Sequence, residues 1–305
     1  MNGQVADFRH VCFVAASPGP ARPGWSASTP PRALPAVPAE PLHPFLGWLT
    51  QQAGLQVGAY RPAALNRRLG ACLRALRVTS PERARALLES RPELLAKVLD
   101  ALLIGVSGFF RDEAVFEQLH KVILPGLLRG RPGLRVYSAG CSDGQELYSL
   151  AMLLDDLGCL DQSELLGLDC RPVAIARARA GCWPAPEANP VPLAFRARYF
   201  HGREGCARVA PRLREKIRWR AGDLLAEPDP DGSWDLVLFR NVAIYMSWEH
   251  QALWDRFAAL VRPGGVLVTG KAERPPSRLP FRSIGPCLFK KMEGAGLGSP
   301  AGTRS

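Results

Sequence analysis

Metal-ligand spacing is missing from this chain. Its five histidines form no His-Glu-x-x-His pattern, and none of the eight cysteines (12, 72, 141, 159, 170, 182, 206 and 287) stands in a Cys-x-x-Cys pair. No metal is expected. Several cysteines sit inside apolar patterns, so they read as reduced core thiols rather than disulfides. Long apolar runs are missing too: no segment approaches membrane-spanning length, and Val11–Ala16 is too short for a secretory core, with Asp7 and Arg9 beside it. A cytoplasmic protein without membrane insertion is expected. Where the dinucleotide fingerprint needs a glycine two residues after its first, Ser142 stands instead, which disfavours a nicotinamide cofactor.

The most informative stretch is Leu134-Arg-Val-Tyr-Ser-Ala-Gly-Cys-Ser-Asp-Gly-Gln-Glu-Leu-Tyr-Ser-Leu150. An apolar strand pattern breaks into Gly140 and Gly144 and resumes at helical spacing, which predicts a strand, a tight turn and a helix from about Gln145. Both glycines remove the Cβ atoms that would hold a ligand off the backbone, and the helix start aims free N–H groups at the same place. A nucleotide-like cofactor suits that turn. About 25 residues beyond Gly144, Glu164-Leu-Leu-Gly-Leu-Asp169 reads as a second strand ending in a carboxylate, the group that grips two ribose hydroxyls. The plainer alternative is an ordinary turn with a helix cap at Ser142 or Asp169.

With 305 residues, 47% of them hydrophobic, the chain can hold one sizeable domain or two modest ones. Residues 1–42 are rich in proline and alanine without periodicity and read as a disordered tail. Residues 43–110 read as a small helical domain. There Leu65, Leu69, Cys72 and Leu76 share one helix face, with Arg67 and Arg74 opposite. Prolines 81 and 92 open helices, and Leu94, Leu95, Val98, Leu99, Leu102 and Leu103 form a buried stripe. Formal net charge is +11, and residues 43–111 hold +6 of it, ten Lys or Arg against four Asp or Glu. Such a field suits an acidic partner or merely a solvated basic face.

From residue 111 the chain alternates: strand 134–139, helix 145–157, strand 164–169, helix 172–180. This predicts an α/β fold, a parallel sheet with helices on both faces. Residues 182–214 give mixed signals and read as an insertion. Strands at 216–220 and 234–240 and a helix at about 249–261 follow. Then come the turn Arg262-Pro-Gly-Gly265, a strand at 265–270 and a terminal hairpin, 281–284 with 287–290. The α/β unit is placed at 111–292 and a short disordered tail at 293–305.

In this order the motifs resemble the CheR family of chemotaxis receptor methyltransferases, over roughly His43 to Met292. Gly105-Val-Ser-Gly-Phe-Phe-Arg111 corresponds to the family's Asn-x-Thr-x-Phe-Phe-Arg. Ser138-Ala-Gly-Cys-Ser-Asp-Gly-Gln-Glu-Leu-Tyr-Ser149 corresponds to its Gly-Glu-Glu-Pro-Tyr-Ser turn, and Phe239-Arg-Asn-Val-Ala-Ile-Tyr245 to its Cys-Arg-Asn-Val-x-Ile-Tyr strand end. The resemblance implies a Rossmann-like class I methyltransferase sheet behind a small helical domain. It also implies methyl transfer from S-adenosylmethionine to receptor glutamates, with S-adenosylhomocysteine as product. By position, Ser107 and Arg111 would edge the cofactor pocket, with Gly140 and Gly144 in its turn. Glu146 would reach the methionyl end, Asp169 hold the ribose, and Asp223 and Leu224 flank the adenine. Arg240 and Asn241 would stand beside the sulfonium, with Tyr245 and Arg240 orienting the acceptor. Arg67, Arg68 and Arg74 would meet the acidic methylation helices of a chemoreceptor.

The chain departs from the family at four places: Gly105 for an asparagine, Gln145 for a glutamate, Leu147 for a proline, and Lys271-Ala-Glu273 where the family often has a histidine and then Ser-Glu. One lost hydrogen bond costs on the order of 1 kcal/mol where water replaces the group, so weaker cofactor binding is expected. A signalling protein that binds the nucleoside without catalysis is the alternative. A nucleic-acid partner is not expected, since the Asn-Pro-Pro-Tyr and Asp-Pro-Pro-Tyr signatures of amino-methylating enzymes are absent. A monomer is expected.

Overall fold

Strand β1 (Arg135–Ala139) buries everything after its first residue, with Val136 in one hydrophobic core and Tyr137 and Ala139 in another. A strand buried on both faces needs partners on both edges and helices on both sides. The computed structural model supplies them. It describes residues 40–293 apart from 57, 59, 104, 106, 204, 226–233, 244–245 and 247–250.

β1 pairs in parallel with β2 (Glu164–Asp169) on one edge and with β7 (Trp234–Phe239) on the other. Beyond β2 lies β6 (Ile217–Ala221), and beyond β7 lies β8 (Val261–Thr269), both parallel. The terminal hairpin, β9 (Phe281–Gly285) and β10 (Leu288–Lys291), adds antiparallel strands outside β8. The order β6-β2-β1-β7-β8-β10-β9 reverses direction of growth at β1, so the chain leaves a crevice at the carboxyl ends of β1 and β7.

Period-two alternation sorts the core. Val136, Leu236, Leu238, Val266 and Val268 face α8 (Gln145–Asp156) and the helical run before β1. That run comprises α6 (Glu113–Gln118), a π-helical turn (Leu119–Ile123) and α7 (Leu124–Leu127). Tyr137, Leu166, Val237, Phe239 and Leu267 share the other core with α12 (Gln251–Leu260) and the N-terminal helices. Those helices are α1 (Pro44–Gln52), α2 (Pro62–Asn66), α3 (Leu69–Leu76), α4 (Pro81–Ser90) and α5 (Leu95–Leu102). Helix α9 (Pro172–Ala180) follows β2.

Four expectations are corrected. The single helix through Leu65 and Leu76 is broken at Arg67–Arg68. Asn66 there bonds the His43 amide and the Pro41 carbonyl, and Arg68 turns to the Ala101 carbonyl at the end of α5, so both polar side chains serve tertiary partners. Residues 182–214 form an antiparallel sheet, β3 (Cys182–Pro184), β5 (Cys206–Val209) and β4 (Phe200–Arg203), with α10 (Leu193–Tyr199) and α11 (Pro211–Lys216). Strands of three or four residues are too short to show alternation. Cys182 and Cys206 are joined as a disulfide, with Cα atoms 6.1 Å apart, against the expectation of reduced thiols throughout. Finally, β8 starts at Val261, so Arg262-Pro-Gly-Gly265 lies within a strand whose register shifts beside Trp234. The expected tails, 1–42 and 293–305, fall almost wholly outside the described residues.

One carboxylate gathers several of the polar contacts between α8 and the region of the small sheet. Asp155, with 3% of its side chain exposed, accepts from Arg198 Nη2 (2.9 Å), the Tyr199 hydroxyl (2.8 Å) and Arg212 Nε (2.8 Å). Burial pushes its pKa up, but the Arg212 and Tyr199 hydrogen bonds and the two arginine charges outweigh it and leave the carboxyl below its usual range. A depressed folded-state pKa stabilises above the unfolded value of about 3.9, and that stability is lost as pH falls through the folded pKa. Asp155→Ala should cost about 3 kcal/mol at pH 7 in urea unfolding, and the deficit relative to the unmodified protein should shrink below about pH 4. A deficit that holds constant down to pH 2 would contradict this assignment.

Candidate functional site

After β1 the chain turns through Gly140 (φ 74°), Cys141 and Ser142 (φ 53°), reaching α8 through Gly144 (φ 88°). The Gly140 and Cys141 amides donate to the Leu168 carbonyl at 2.8 and 2.9 Å, which pins the turn to the end of β2. The two glycines differ in what they permit. A Cβ on Gly140 would lie 2.4 Å from Val242 Cγ2, so this glycine lets the chain after β7 close against the crevice. A Cβ on Gly144 would instead meet the Trp219 ring at 2.7 Å and Ala178 at 2.8 Å, away from the crevice. Gly140 lines the crevice, and Gly144 serves packing against β6 and α9.

The crevice runs over these strand ends. Its wider part is lined by Leu103, Leu224, Val242 and Met246 among apolar groups, with Tyr60, Asp169, Cys170, Arg171 and Asn241. Its narrower part continues past Gly140 and Ser142 to Ser107, Arg111, Glu146 and Arg240. Asp169 Oδ2 accepts from the Ser142 amide (2.8 Å), and Oδ1 accepts from the Arg171 amide (2.9 Å) and Arg171 Nε (3.2 Å). Two carboxylate oxygens offer about four acceptor sites, so one remains for a ligand hydroxyl.

At the narrow end Arg240 is enclosed, with 1% of its side chain exposed. Nη1 donates to Glu146 Oε2 (2.6 Å), and Nη2 donates to Asp112 Oδ2 and to the Arg111 carbonyl (3.1 Å). Lys271 Nζ lies 2.6 Å from the other Asp112 oxygen. Burial raises the pKa of the Glu146 carboxyl against the lowering charge of Arg240. For Arg240, burial works to lower the pKa, but Glu146 and Asp112 more than offset it and the net shift is upward. Three of the four N–H groups on its terminal nitrogens are therefore engaged with the protein, which leaves one on Nη1.

Asn241 adopts left-handed backbone (φ 60°), a region where asparagine is tolerated. Its amide donates to Glu273 Oε2 at 2.7 Å, and the same oxygen receives the Gly270 amide at 2.8 Å. Glu273 Oε1 and Arg240 Nε are buried without a partner among the described residues. The remaining expectations divide. Leu224 borders the crevice, and at its rim both Asp223 oxygens have backbone partners: Oδ2 accepts from the Gln56 amide (2.8 Å) and Oδ1 from the Leu225 amide (3.0 Å). Arg67 and Arg74 are exposed, whereas Arg68 is half-buried on the Ala101 carbonyl. Tyr245 lies outside the described residues.

Sequence reasoning gave no role at the site to Tyr60, Arg171 or Glu273. Tyr60 comes from the segment after α1 and pairs with Met246 as an isolated bridge. Burial, with Cys170 and Asp223 adding, holds its hydroxyl pKa well above the usual value, so it stays protonated. A polar residue just past an apolar strand signals Glu273, as it did Asp169. Nothing in the local pattern marks Tyr60.

The site fits a nucleoside with a charged amino-acid tail. Apolar walls suit a base, Asp169 keeps a free acceptor site for a hydroxyl, and the narrow arm holds half-buried carboxylates beside a buried cation. Comparisons with known proteins agree. Residues 105–285 match the family described as "CheR methyltransferase, SAM binding domain". A chemotaxis protein methyltransferase of Listeria monocytogenes is 33% identical over 75% of this chain and 88% of its own. Chemotaxis protein methyltransferase 1 of Pseudomonas aeruginosa is 30% identical over 75% of this chain and 88% of its own. Among solved structures, an S-adenosylmethionine dependent methyltransferase from Mesorhizobium loti aligns at 22% identity over 48% of this chain and 51% of that one. Its TM-score of 0.26 is too low to add to the argument.

Glu273→Ala leaves two buried amides without an acceptor, and unfolding measurements should show a loss of about 2–4 kcal/mol. Glu273→Gln keeps an oxygen in place and should lose less than half as much. Equal losses would show that the two amides do not depend on this oxygen.

Proposed function

The chain belongs to the CheR methyltransferase family, and from that premise we propose that it transfers a methyl group from S-adenosylmethionine to glutamate carboxylates of methyl-accepting chemotaxis receptors. The observation that carries this reading is the crevice at the reversal of strand order, with Asp169 at one side of Gly140 and the Arg240–Glu146 pair at the other. In the reading, Asp169 holds the ribose and Leu224 with Leu103 and Met246 covers the base. Ser107, Arg111 and Glu146 receive the methionyl end. The cofactor, when bound, supplies a sulfonium-activated methyl group.

Little acid–base chemistry is asked of the protein. A glutamate side chain is ionised at neutral pH, so the displacement needs alignment and exclusion of water more than a general base. Arg240 keeps Glu146 and Asp112 in place at the narrow arm, and Asn241, fixed through Glu273, shapes the strand end beside the reacting atoms. Tyr245 is assigned next to the transferred methyl on the family resemblance. Tyr245→Phe should lower kcat about tenfold or more with cofactor affinity unchanged, as expected of a group acting only in the transition state. Full turnover in this variant would remove Tyr245 from the mechanism.

The acidic methylation helices of a receptor are assigned to the exposed arginines Arg67 and Arg74, and the reaction to the cytoplasmic side. Arg68, committed to α5, is left out of that surface. Incubated with labelled cofactor and a receptor fragment, the protein should form base-labile methyl esters on glutamates, and raising ionic strength should increase KM. Cofactor binding without label in the receptor would establish the non-catalytic alternative. A rate indifferent to salt would dismiss the arginine surface.

A further inference from the structure

Arg171 has no part in the reaction as assigned above, yet it is one of the most enclosed cations in the molecule, with 5% of its side chain exposed. It sits just before α9 and folds back over the crevice. Nε bonds Asp169 Oδ1, Nη1 bonds Asp100 Oδ1 (3.0 Å) and Nη2 bonds the Ser142 hydroxyl (2.9 Å). A guanidinium has five N–H donors, so one on each terminal nitrogen is without a partner among the described residues. Arg171 lines the same part of the crevice as Asp169 and Gly140.

Gly105 explains how the guanidinium fits. A Cβ at this position would lie 1.8 Å from Arg171 Nη2 and 2.3 Å from Cζ, so a side chain here and Arg171 in its present place exclude each other. The family pattern has an asparagine at this position. The chain lacks that amide and carries a guanidinium in its space, reaching in from the opposite wall.

We propose that Arg171 is a cofactor-contacting specificity residue admitted by the missing side chain at Gly105, donating one of its two remaining N–H groups to the ribose hydroxyl oxygen held by Asp169 and the other to the neighbouring hydroxyl oxygen. This rests on the reading of the crevice as an S-adenosylmethionine site. A ribose hydroxyl that donates to Asp169 still has lone pairs to satisfy once water is gone, and a carboxylate cannot serve them. The charge is tolerable beside a sulfonium because Asp169 and Asp100 already neutralise it.

Calorimetric titration of the full chain with S-adenosylhomocysteine and with its 2′,3′-dideoxy analogue tests the pair. Gly105→Asn and Arg171→Ala should each weaken S-adenosylhomocysteine binding about tenfold or more, and the double variant should recover to within about threefold of the original. Arg171→Ala should leave the dideoxy analogue's affinity unchanged, whereas a merely structural arginine would weaken both ligands alike. Thermal melting checks each variant for folding. If Arg171→Ala does not fold, Arg171→Lys decides: it should weaken S-adenosylhomocysteine and spare the dideoxy analogue, and equal effects on both would overturn the proposal. So would additive losses in the double variant, or a Gly105→Asn protein that binds like the original. Failure of the unmodified chain to bind S-adenosylhomocysteine at all would instead overturn the methyltransferase reading beneath it.

Discussion

The Arg240 guanidinium, almost fully removed from water, is the interaction around which the carboxyl edge of the sheet is assembled. An unpaired buried ion costs several kcal/mol, so this side chain is tolerable only with opposite charge brought against it. Glu146 in the first turn of α8, Asp112 ahead of α6 and the Arg111 carbonyl take up its terminal nitrogens, while Nε is left without an acceptor among the described residues. Two separate stretches of chain are thereby held at the end of β7. The same constraint recurs across the crevice, where Arg171 is enclosed by Asp169, Asp100 and Ser142. The two clusters define the width of the space between them, because neither cation can move without stranding a carboxylate.

The N-terminal helices do more than cover a sheet face. They reach the crevice rim at separate points: the Gln56 amide on Asp223, Tyr60 against Met246, and Asp100 on Arg171. Leu46, Leu49, Val98 and Leu102 share a core with Val237, Phe239 and Leu267 of the sheet. A displacement of these helices would have to open that core and break polar contacts to the loops after β2 and β6. The surface that carries Arg67 and Arg74 is thus built on the same helices that complete the crevice wall.

The strands of the large sheet were legible because burial on one or both faces imposes a pattern, as in Glu164–Asp169 and Trp234–Phe239. So were Asp169 and Asn241, since a polar residue closing an apolar strand has one place to go in an α/β fold. What was not legible depends on partners distant in sequence. Gly144 looks like Gly140 in the chain, and only Trp219 and Ala178, brought in by β6 and α9, make it a packing glycine. Arg68 has the same charge as Arg67, but the end of α5 takes it. The helix break beside it and the small sheet of residues 182–214 were missed for the same reason: side-chain anchors and short strand pairs leave no periodic trace. Cys182 and Cys206 are 24 residues apart, and only the pairing of β3 with β5 brings them together.

Net charge alone describes the field of this molecule poorly. Asp235 is buried between Arg131 and Arg262, Asp155 between Arg198 and Arg212, and Asp161 takes a further bond from Arg212. Much of the arginine content on the sheet and the small antiparallel sheet is thus spent beside carboxylates, and at a Debye length of about 8 Å such close pairs project little beyond themselves. On α3 and its flanks the balance differs. Arg67, Arg74 and Arg77 are exposed and form no ion pair with a carboxylate among the described residues. Positive potential therefore concentrates on the N-terminal helices, where nine Lys or Arg against four Asp or Glu leave an excess of five charges over residues 43–110. An acidic helix of the kind proposed as substrate would be drawn to that surface rather than to the molecule at large, which would bring it to the helices whose inner side forms the rim of the crevice.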